Sequence, residues 1–286
     1  MSIYDLFKGK TRFDGDSMEN RSETMIEWIS TPVSFLLGKY FRAEVRGLSR
    51  IPQGAALYVG NHNMGMLSLD SFIFAAEAFR MHGINAVPYG LAHDAAMFLP
   101  LARDFIASFG GIRACHENAA KIFAAGKKAI VYPGGDVDAL RPFKHRNRIV
   151  FGGRTGYVRL AISENVPIVP VVAAGAHSVY IILTDGRKIA KTLRFDKLFR
   201  SEVWPITLCL PWGLVIGPGL FFLPWPSKII IEVMEPISFD RQGPEAASDD
   251  RYVRLCADKV ETAMQATLSR LARERKQKGG RRGEKS

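Results

Sequence analysis

From residue 41 onward, short aliphatic or β-branched runs alternate with stretches of helical length, and this alternation constrains the fold more than any other feature. Residues 40–45, 55–59, 84–89, 128–132, 166–173 and 229–234 read as strands. Between them, residues 68–81, 92–108 (broken at Pro100), 116–125 and 156–164 read as helices, and 249–273 as a closing helix. Strand–helix alternation buries best as a largely parallel, mixed α/β sheet flanked by helices. The expected organisation is a leader and amphipathic helix over 1–41, one domain over 42–240, a C-terminal helix over 241–275 and a basic disordered tail over 276–286. With 286 residues and 47% hydrophobic content, the chain has ample material for one core of this kind.

Charge and cysteine content narrow the function classes. The chain carries a net charge of +11, concentrated toward its end, where eight Lys/Arg face two Glu from Arg270 to Ser286. Such a tail suits an anionic membrane surface; nucleic acid is not an expected partner, because no basic motif with interleaved aromatics accompanies it. Three widely spaced cysteines do not form a disulfide framework. No CxxC, HExxH or HxxxH spacing occurs, so no metal site is expected. Neither is a nucleophile elbow, a phosphate-binding P-loop or a dinucleotide turn present.

Two segments are unusually apolar for their kind. Residues 22–41 place Met25, Ile26, Ile29, Val33, Leu36, Leu37 and Tyr40 at three-to-four spacing, the pattern of an amphipathic helix with Pro32 as a kink point. It packs on the core or lies on a bilayer surface. Residues 203–227 are uncharged and carry three tryptophans, but five prolines and three glycines preclude a spanning helix. Tryptophan in such a setting suits the membrane interface, and packing into the core is the alternative.

Candidate chemistry starts at "ALYVGNHNMGMLSLDSFIF", residues 56–74, where a strand delivers His62 to its C-terminal end and Asp70 opens the next helix. Ligand sites in open α/β sheets collect at that edge. The loop "YPGGDVDALRPF", residues 132–143, belongs on the same edge. A neutral imidazole takes a proton from an attacking alcohol, and a carboxylate on its second nitrogen fixes the tautomer. With Ser68 as cap, Asp70 falls in the first helical turn, where the macrodipole favours its ionised form. The alternative is a carboxylate that only stabilises its own helix.

The order of these blocks resembles the glycerolipid (lysophospholipid-type) acyltransferase superfamily. Its four blocks correspond to His62 and Asp70, then Gly110-Gly111-Ile112-Arg113, then Pro133-Gly134-Gly135, then Ile168-Val169-Pro170-Val171. The resemblance covers roughly 41–236. It implies a fatty acyl group passed from acyl-CoA or acyl carrier protein to a hydroxyl of a glycerolipid or lysophospholipid, with His62 as general base and Asp70 as its partner. It also implies an enzyme of the 1-acylglycerol-3-phosphate acyltransferase kind, peripheral on the cytoplasmic face of a membrane, with no cofactor beyond its co-substrate. The expected substrate-binding set is Arg113, Gly134, Gly135, Asp136, Asp138, Arg141, Arg148 and Arg154, with backbone N–H groups of the Pro-Gly-Gly turn as oxyanion donors.

Two departures stand out. Seven residues separate His62 from Asp70 where the family has four, so either the Asn63–Met66 insert loops out or a backbone carbonyl orients His62 instead. Gly134 and Val137 stand where the family carries glutamate and arginine. The "PGG" form resembles the subgroup of diacylglycerol acyltransferases and plastid ester synthases, which acylate neutral acceptors. A lipid- or acyl-CoA-binding protein that has lost transfer is the alternative from another class.

Overall fold

The computed structural model describes residues 14–63, 68–92, 100–192, 203–217 and 222–283. Among the described residues, ten strands form two sheets. The larger has seven strands: β1 (Glu44–Arg46), β2 (Ala56–Gly60), β3 (Tyr89–Ala92), β4 (Gly111–Arg113), β5 (Lys128–Val131), β6 (Ile168–Ala174) and β10 (Ile230–Val233), in the order β1-β10-β6-β2-β5-β3-β4. Five of them, from β6 to β4, run parallel, while β10 pairs antiparallel with β6 and parallel with β1. The largely parallel mixed α/β sheet expected from the alternation is therefore present.

The helices are α1 (Glu23–Tyr40), α2 (Leu69–His82), α3 (Pro100–Ser108), α4 (His116–Ala124), α5 (Gly135–Ala139), α6 (Gly156–Ser163), α7 (Arg187–Thr192), α8 (Gly243–Ser248) and α9 (Asp250–Gly283). They cover both faces, and side-chain alternation on β2 divides the core accordingly. Leu57 and Val59 join one cluster with Ile122 of α4, Val158 of α6 and Val260, Met264 and Leu268 of α9. Ala56 and Tyr58 join the other with Ile73, Phe74 and Ala78 of α2. Every residue of β2 and β6 is buried, which is why both read as near-continuous apolar runs.

The observed elements differ from the expected ones at several points. Residues 84–86 form a 3-10 turn, and the strand begins only at Tyr89. The expected strand at 40–45 is shortened because α1 runs to Tyr40, leaving Glu44–Arg46 to pair. The closing helix runs from Asp250 to Gly283, past the expected boundary at 275, and packs against the main core. Basic residues near a helix C-terminus are favoured by the macrodipole.

A second, three-stranded antiparallel sheet joins β7 (Ile181–Thr184), β8 (Ile206–Cys209) and β9 (Gly213–Ile216). It occupies much of the apolar 203–227 stretch. Thr207 and Cys209 point inward, whereas Leu208, Leu214 and Ile216 are exposed. Helix α1 is also turned outward. Its buried residues are Ile26, Ser30 and Ser34, and Ser34 bonds to Glu77 and Arg80 of α2. Trp28, Phe35 and Leu36 are left exposed.

Candidate active site

Strand β2 ends at Gly60, where a Cβ would lie 2.4 Å from the Tyr132 ring. A glycine here lets Tyr132 close over the strand end, and the His62 and Tyr132 rings sit 4.9 Å apart at a tilt. His62 is thereby set beside the Pro133-Gly134-Gly135 turn, on the C-terminal edge of the parallel strands. Its main-chain N–H donates to Asp138 Oδ2 at 2.6 Å, and its carbonyl accepts from Arg141 Nη1 at 2.7 Å. The backbone of the histidine is held on both sides by the helix that follows the turn and by its C-terminal flank.

The imidazole is oriented locally. Nδ1 lies 3.3 Å from the Asn63 carbonyl and 3.1 Å from Ser68 Oγ. A carbonyl only accepts, so the Asn63 contact favours the tautomer with the proton on Nδ1, Ser68 Oγ serving as a second acceptor, and leaves the Nε2 lone pair available. Among the described residues Nε2 has no partner. Burial pushes the His62 pKa down to about 4, so the ring is neutral across the physiological range. Ser68 stands at the N-cap position of α2 but makes no capping bond there.

Asp70 makes no hydrogen bond or ion pair with His62, which corrects the expected carboxylate–imidazole pair. Asp70 Oδ2 accepts from Asn63 Nδ2 at 2.9 Å, while Oδ1 is buried with no partner among the described residues. Asp70 therefore acts on the histidine loop through Asn63, whose Nδ2 also donates to the Asn61 carbonyl at 3.0 Å. Asn63 Oδ1 accepts from Arg141 Nη2 at 2.8 Å. Of the expected alternatives, the backbone carbonyl is the one that meets the ring. Met64–Met66 of the insert lie outside the described residues. Desolvation raises the Asp70 pKa to about 6, and a cavity of about 10 Å³, room for roughly one water, is lined by Asp70, Asn61, Ser71 and Tyr132.

Asp138 and Arg141, expected to bind substrate, are both fully interior and paired at 2.9 Å. Arg141 also donates to the main-chain carbonyls of Asp138, His145 and Arg146. All its donor groups serve the protein, so both residues are corrected to positioning roles. Desolvation raises the Asp138 pKa to about 6 despite the neighbouring guanidinium.

Arg113 is engaged as well. Its guanidinium makes a bidentate pair with Asp16, at 2.8 and 2.5 Å, which ties the N-terminal segment to β4. Arg154 Nη1 donates to the Pro133 and Gly134 carbonyls at 3.0 and 2.6 Å, and the guanidinium faces Asp136 at 3.9 Å. Arg154 and Asp136 thus shape the turn from outside. Arg148 is exposed, with no side-chain partner among the described residues.

The turn itself admits no side chain at its first glycine. A Cβ on Gly134 would lie 2.3 Å from Asp138 Cβ and 2.4 Å from the Val150 carbonyl oxygen. Gly135 adopts φ +51°, and its N–H donates to the Tyr132 carbonyl at 3.0 Å, closing the turn. That N–H is consequently not an oxyanion donor. Sequence reasoning missed Asn61 and Asn63. The signal was available, since asparagines flank His62 on both sides. Asn61 exchanges both its amide groups with Ala173 of β6, at 2.9 and 3.0 Å.

The loop-held imidazole and the glycine turn thus lie side by side on the C-terminal edge of the parallel strands. The chain belongs to the diacylglycerol acyltransferase family, whose model matches residues 2–275. An uncharacterized protein of Mycobacterium tuberculosis is 32% identical over 238 residues, 83% of this chain and 63% of that protein. Diacylglycerol O-acyltransferase 2B of Umbelopsis ramanniana is 26% identical over 213 residues, 70% of this chain and 59% of that one. Acyl-CoA wax alcohol acyltransferase 2 of Homo sapiens is 30% identical over 197 residues, 65% and 57%. The chain thus spans 57 to 63% of the length of these relatives. Among solved structures, the 1-acyl-sn-glycerophosphate acyltransferase of Thermotoga maritima aligns over 87% of this chain and 82% of that one, with TM-score 0.49 and 16% identity.

Proposed function

We propose that this chain is an O-acyltransferase that moves a fatty acyl group from a thioester to a lipid hydroxyl, with His62 as general base. The observation that carries the reading is the unshared Nε2 of a neutral, loop-fixed imidazole beside the Pro-Gly-Gly turn. In the proposed step, the acceptor O–H gives its proton to Nε2 as its oxygen attacks the thioester carbonyl. The tetrahedral oxyanion collapses, the C–S bond breaks, and the thiolate leaves with a proton returned from the imidazolium. The Gly134 N–H is the donor assigned to the oxyanion, since Gly135's is spent within the turn.

A neutral acceptor such as diacylglycerol or a fatty alcohol is favoured over lysophosphatidic acid. Arg113 and Arg141 are committed to internal carboxylates, and the names of the fungal and human relatives refer to neutral acceptors. Such acceptors reside in membranes, and we assign the outward face of α1 and the β7–β9 sheet to a peripheral attachment. Tyr40 Oη donates to the Pro224 carbonyl at 2.6 Å, joining these two apolar regions into one side of the molecule. No helix among the described residues is long and apolar enough to cross a membrane.

Thiol release from long-chain acyl-CoA, measured with diacylglycerol, fatty alcohol, lysophosphatidic acid and glycerol 3-phosphate as acceptors, tests the proposal. Acceptor-dependent release that falls about 10²–10⁴-fold in His62→Ala supports it. Undiminished release in that variant removes His62 from the mechanism. The displaced Asp70 favours one rival, a lipid-binding protein without transfer, which predicts acyl-CoA binding and no thiol release with any acceptor.

A further inference from the structure

Three arginines that the proposed chemistry leaves unused converge at one end of the sheet. Because β10 runs antiparallel to β6, the start of β10 meets the end of β6, with Ile230 opposite Ala174. The segment entering β1 meets the same end, where Ile229 N–H bonds the Phe41 carbonyl. Arg42 follows Phe41 and is exposed, with no side-chain partner among the described residues. Arg275 of α9 reaches this end too, donating from Nε to the Lys228 carbonyl at 2.7 Å and from Nη2 to Ser227 Oγ at 3.0 Å. Gly175 φ is +93°, and a Cβ there would lie 2.6 Å from Arg275 Nε, so the arginine crosses directly over the end of β6.

Arg146 joins this end through Arg141, whose carbonyl accepts from His177 Nε2 at 2.7 Å in the turn just past β6. The Arg146 carbonyl accepts from Arg141 Nη2 at 3.1 Å, the same nitrogen that holds Asn63, so one residue links it to the His62 loop. Its own guanidinium lies over the Phe143 ring at 4.2 Å and, among the described residues, makes one bond, to the Phe143 carbonyl. The neighbouring carboxylates are already engaged: Glu44 with Arg46 and Lys228, and Glu274 with Arg46 and Arg270. Burial lowers the Arg275 pKa, and the Arg146 and Arg42 charges act in the same direction with no carboxylate opposing them. Like charges gathered where the nearby carboxylates are already paired raise the free energy of the unliganded protein, and an anion relieves that cost.

We propose that Arg42, Arg146 and Arg275 form a phosphate-ester subsite at the C-terminal edge of β6, on the same sheet edge as His62. Planar guanidinium forks suit phosphate oxygens, and Arg146 and Arg42 retain free donors for them. This deepens the acyltransferase reading and rests on it for the source of the phosphate. In that setting the phosphate belongs either to a coenzyme A thioester or to a phosphorylated acceptor.

Calorimetric titration of the full chain with coenzyme A, 3′-dephospho-coenzyme A, pantetheine and glycerol 3-phosphate tests the proposal without requiring turnover. Arg42→Gln and Arg146→Gln, singly and together, are the variants, because neither side chain carries a fold-spanning bond. The expected result is phosphate-dependent binding that weakens with salt and drops roughly tenfold or more in the double variant. Pantetheine should bind alike to wild type and variants. Loss confined to coenzyme A assigns the site to the donor, and loss confined to glycerol 3-phosphate assigns it to the acceptor. Equal affinity of wild type and double variant for both phosphate compounds, or no binding of either, overturns the subsite. Neither of those outcomes alters thiol release through His62, so the two proposals fail separately.

Discussion

Asp138 Oδ2 accepts the main-chain N–H of His62 at 2.6 Å, across 76 residues of sequence. The candidate base is thus fixed by its backbone to the helix that follows the glycine turn, and the two loops are tied together. The same carboxylate takes Arg141 Nη1 and the Val150 N–H on Oδ1. Asp138→Asn keeps the shape but offers an amide where Oδ2 now meets a donor. Thiol release is expected to fall about tenfold or more, with binding of acyl-CoA less affected. An unchanged rate at matched folding would detach the His62 loop geometry from the chemistry.

Arg141 is the larger structural commitment. Removing one partner of a buried ion pair typically costs about 3–5 kcal/mol, because the other charge stays buried and unpaired. Arg141→Met is therefore expected to unfold at markedly lower denaturant than wild type. Arg141→Lys keeps the charge but loses the fork that joins the His62 carbonyl to Asn63. It should fall between the two in stability while losing activity. Denaturation midpoints in urea check the order.

The raised Asp70 pKa gives a stability signature with a definite sign. Folding lifts this carboxyl from 3.8 to about 6. Between those values the folded state holds a proton that the unfolded state has released. The resulting stabilisation is complete below 3.8 and lost as pH rises through 6. Asp70→Asn has no such loss and retains an acceptor for Asn63. Its melting temperature should exceed wild type most at pH 8, with the gap closing toward pH 4. A gap constant with pH would show that Asp70 does not titrate as described. His62, held down near 4, stays neutral throughout most of this range.

Much of this arrangement is legible in the sequence. Buried β2 and β6 announce themselves as aliphatic runs, and the loops after β2 and β5 must share the C-terminal edge of a parallel sheet. What spacing does not reveal is where a side chain points. Asp70 follows His62 closely enough to suggest a pair, but it turns toward Asn63. The resemblance places Arg113, Arg141 and Arg154 among the substrate-binding residues, but each is engaged within the protein. Their partners lie far away in sequence, as with Asp16, 97 residues from Arg113, or are main-chain carbonyls that no motif encodes. The β7–β9 sheet was hidden for a related reason. Its exposed leucines break the alternation expected of a strand facing water, because that sheet is apolar on both sides.

Gly134 tests the packing beneath the turn. A methyl group there meets Asp138 Cβ at 2.3 Å and a backbone carbonyl at 2.4 Å, and the latter cannot swing aside. Gly134→Ala should cost about 1–3 kcal/mol, the usual price of overpacking, and should lower thiol release by displacing Asp138. At Gly156, the start of α6, an added methyl group would meet nothing within 4 Å, and φ is not left-handed. Gly156→Ala is expected to be neutral or slightly stabilising. Equal melting temperatures for the two variants would contradict the crowding at Gly134.

The outward apolar face supplies the last prediction. Trp28 is 77% exposed on α1 and Trp212 65% exposed beside β8 and β9, in a protein whose core has ample apolar residues of its own. Exposure on this scale raises the free energy of the protein in water, and an interfacial tryptophan recovers it with its ring in the headgroup region. Burying one large apolar side chain is worth about 1.5–3 kcal/mol, so losing one contact should weaken vesicle partitioning about tenfold or more. Trp28→Ser and Trp212→Ser are both surface changes with little effect expected on folding. Flotation with vesicles of mixed neutral and anionic lipid should show reduced binding for each and additive loss for the pair. Basic residues along α9 contribute a salt-sensitive part, roughly 1 kcal/mol for each one near an anionic surface. Undiminished flotation of the double variant would remove this face from membrane attachment while leaving the His62 chemistry untouched.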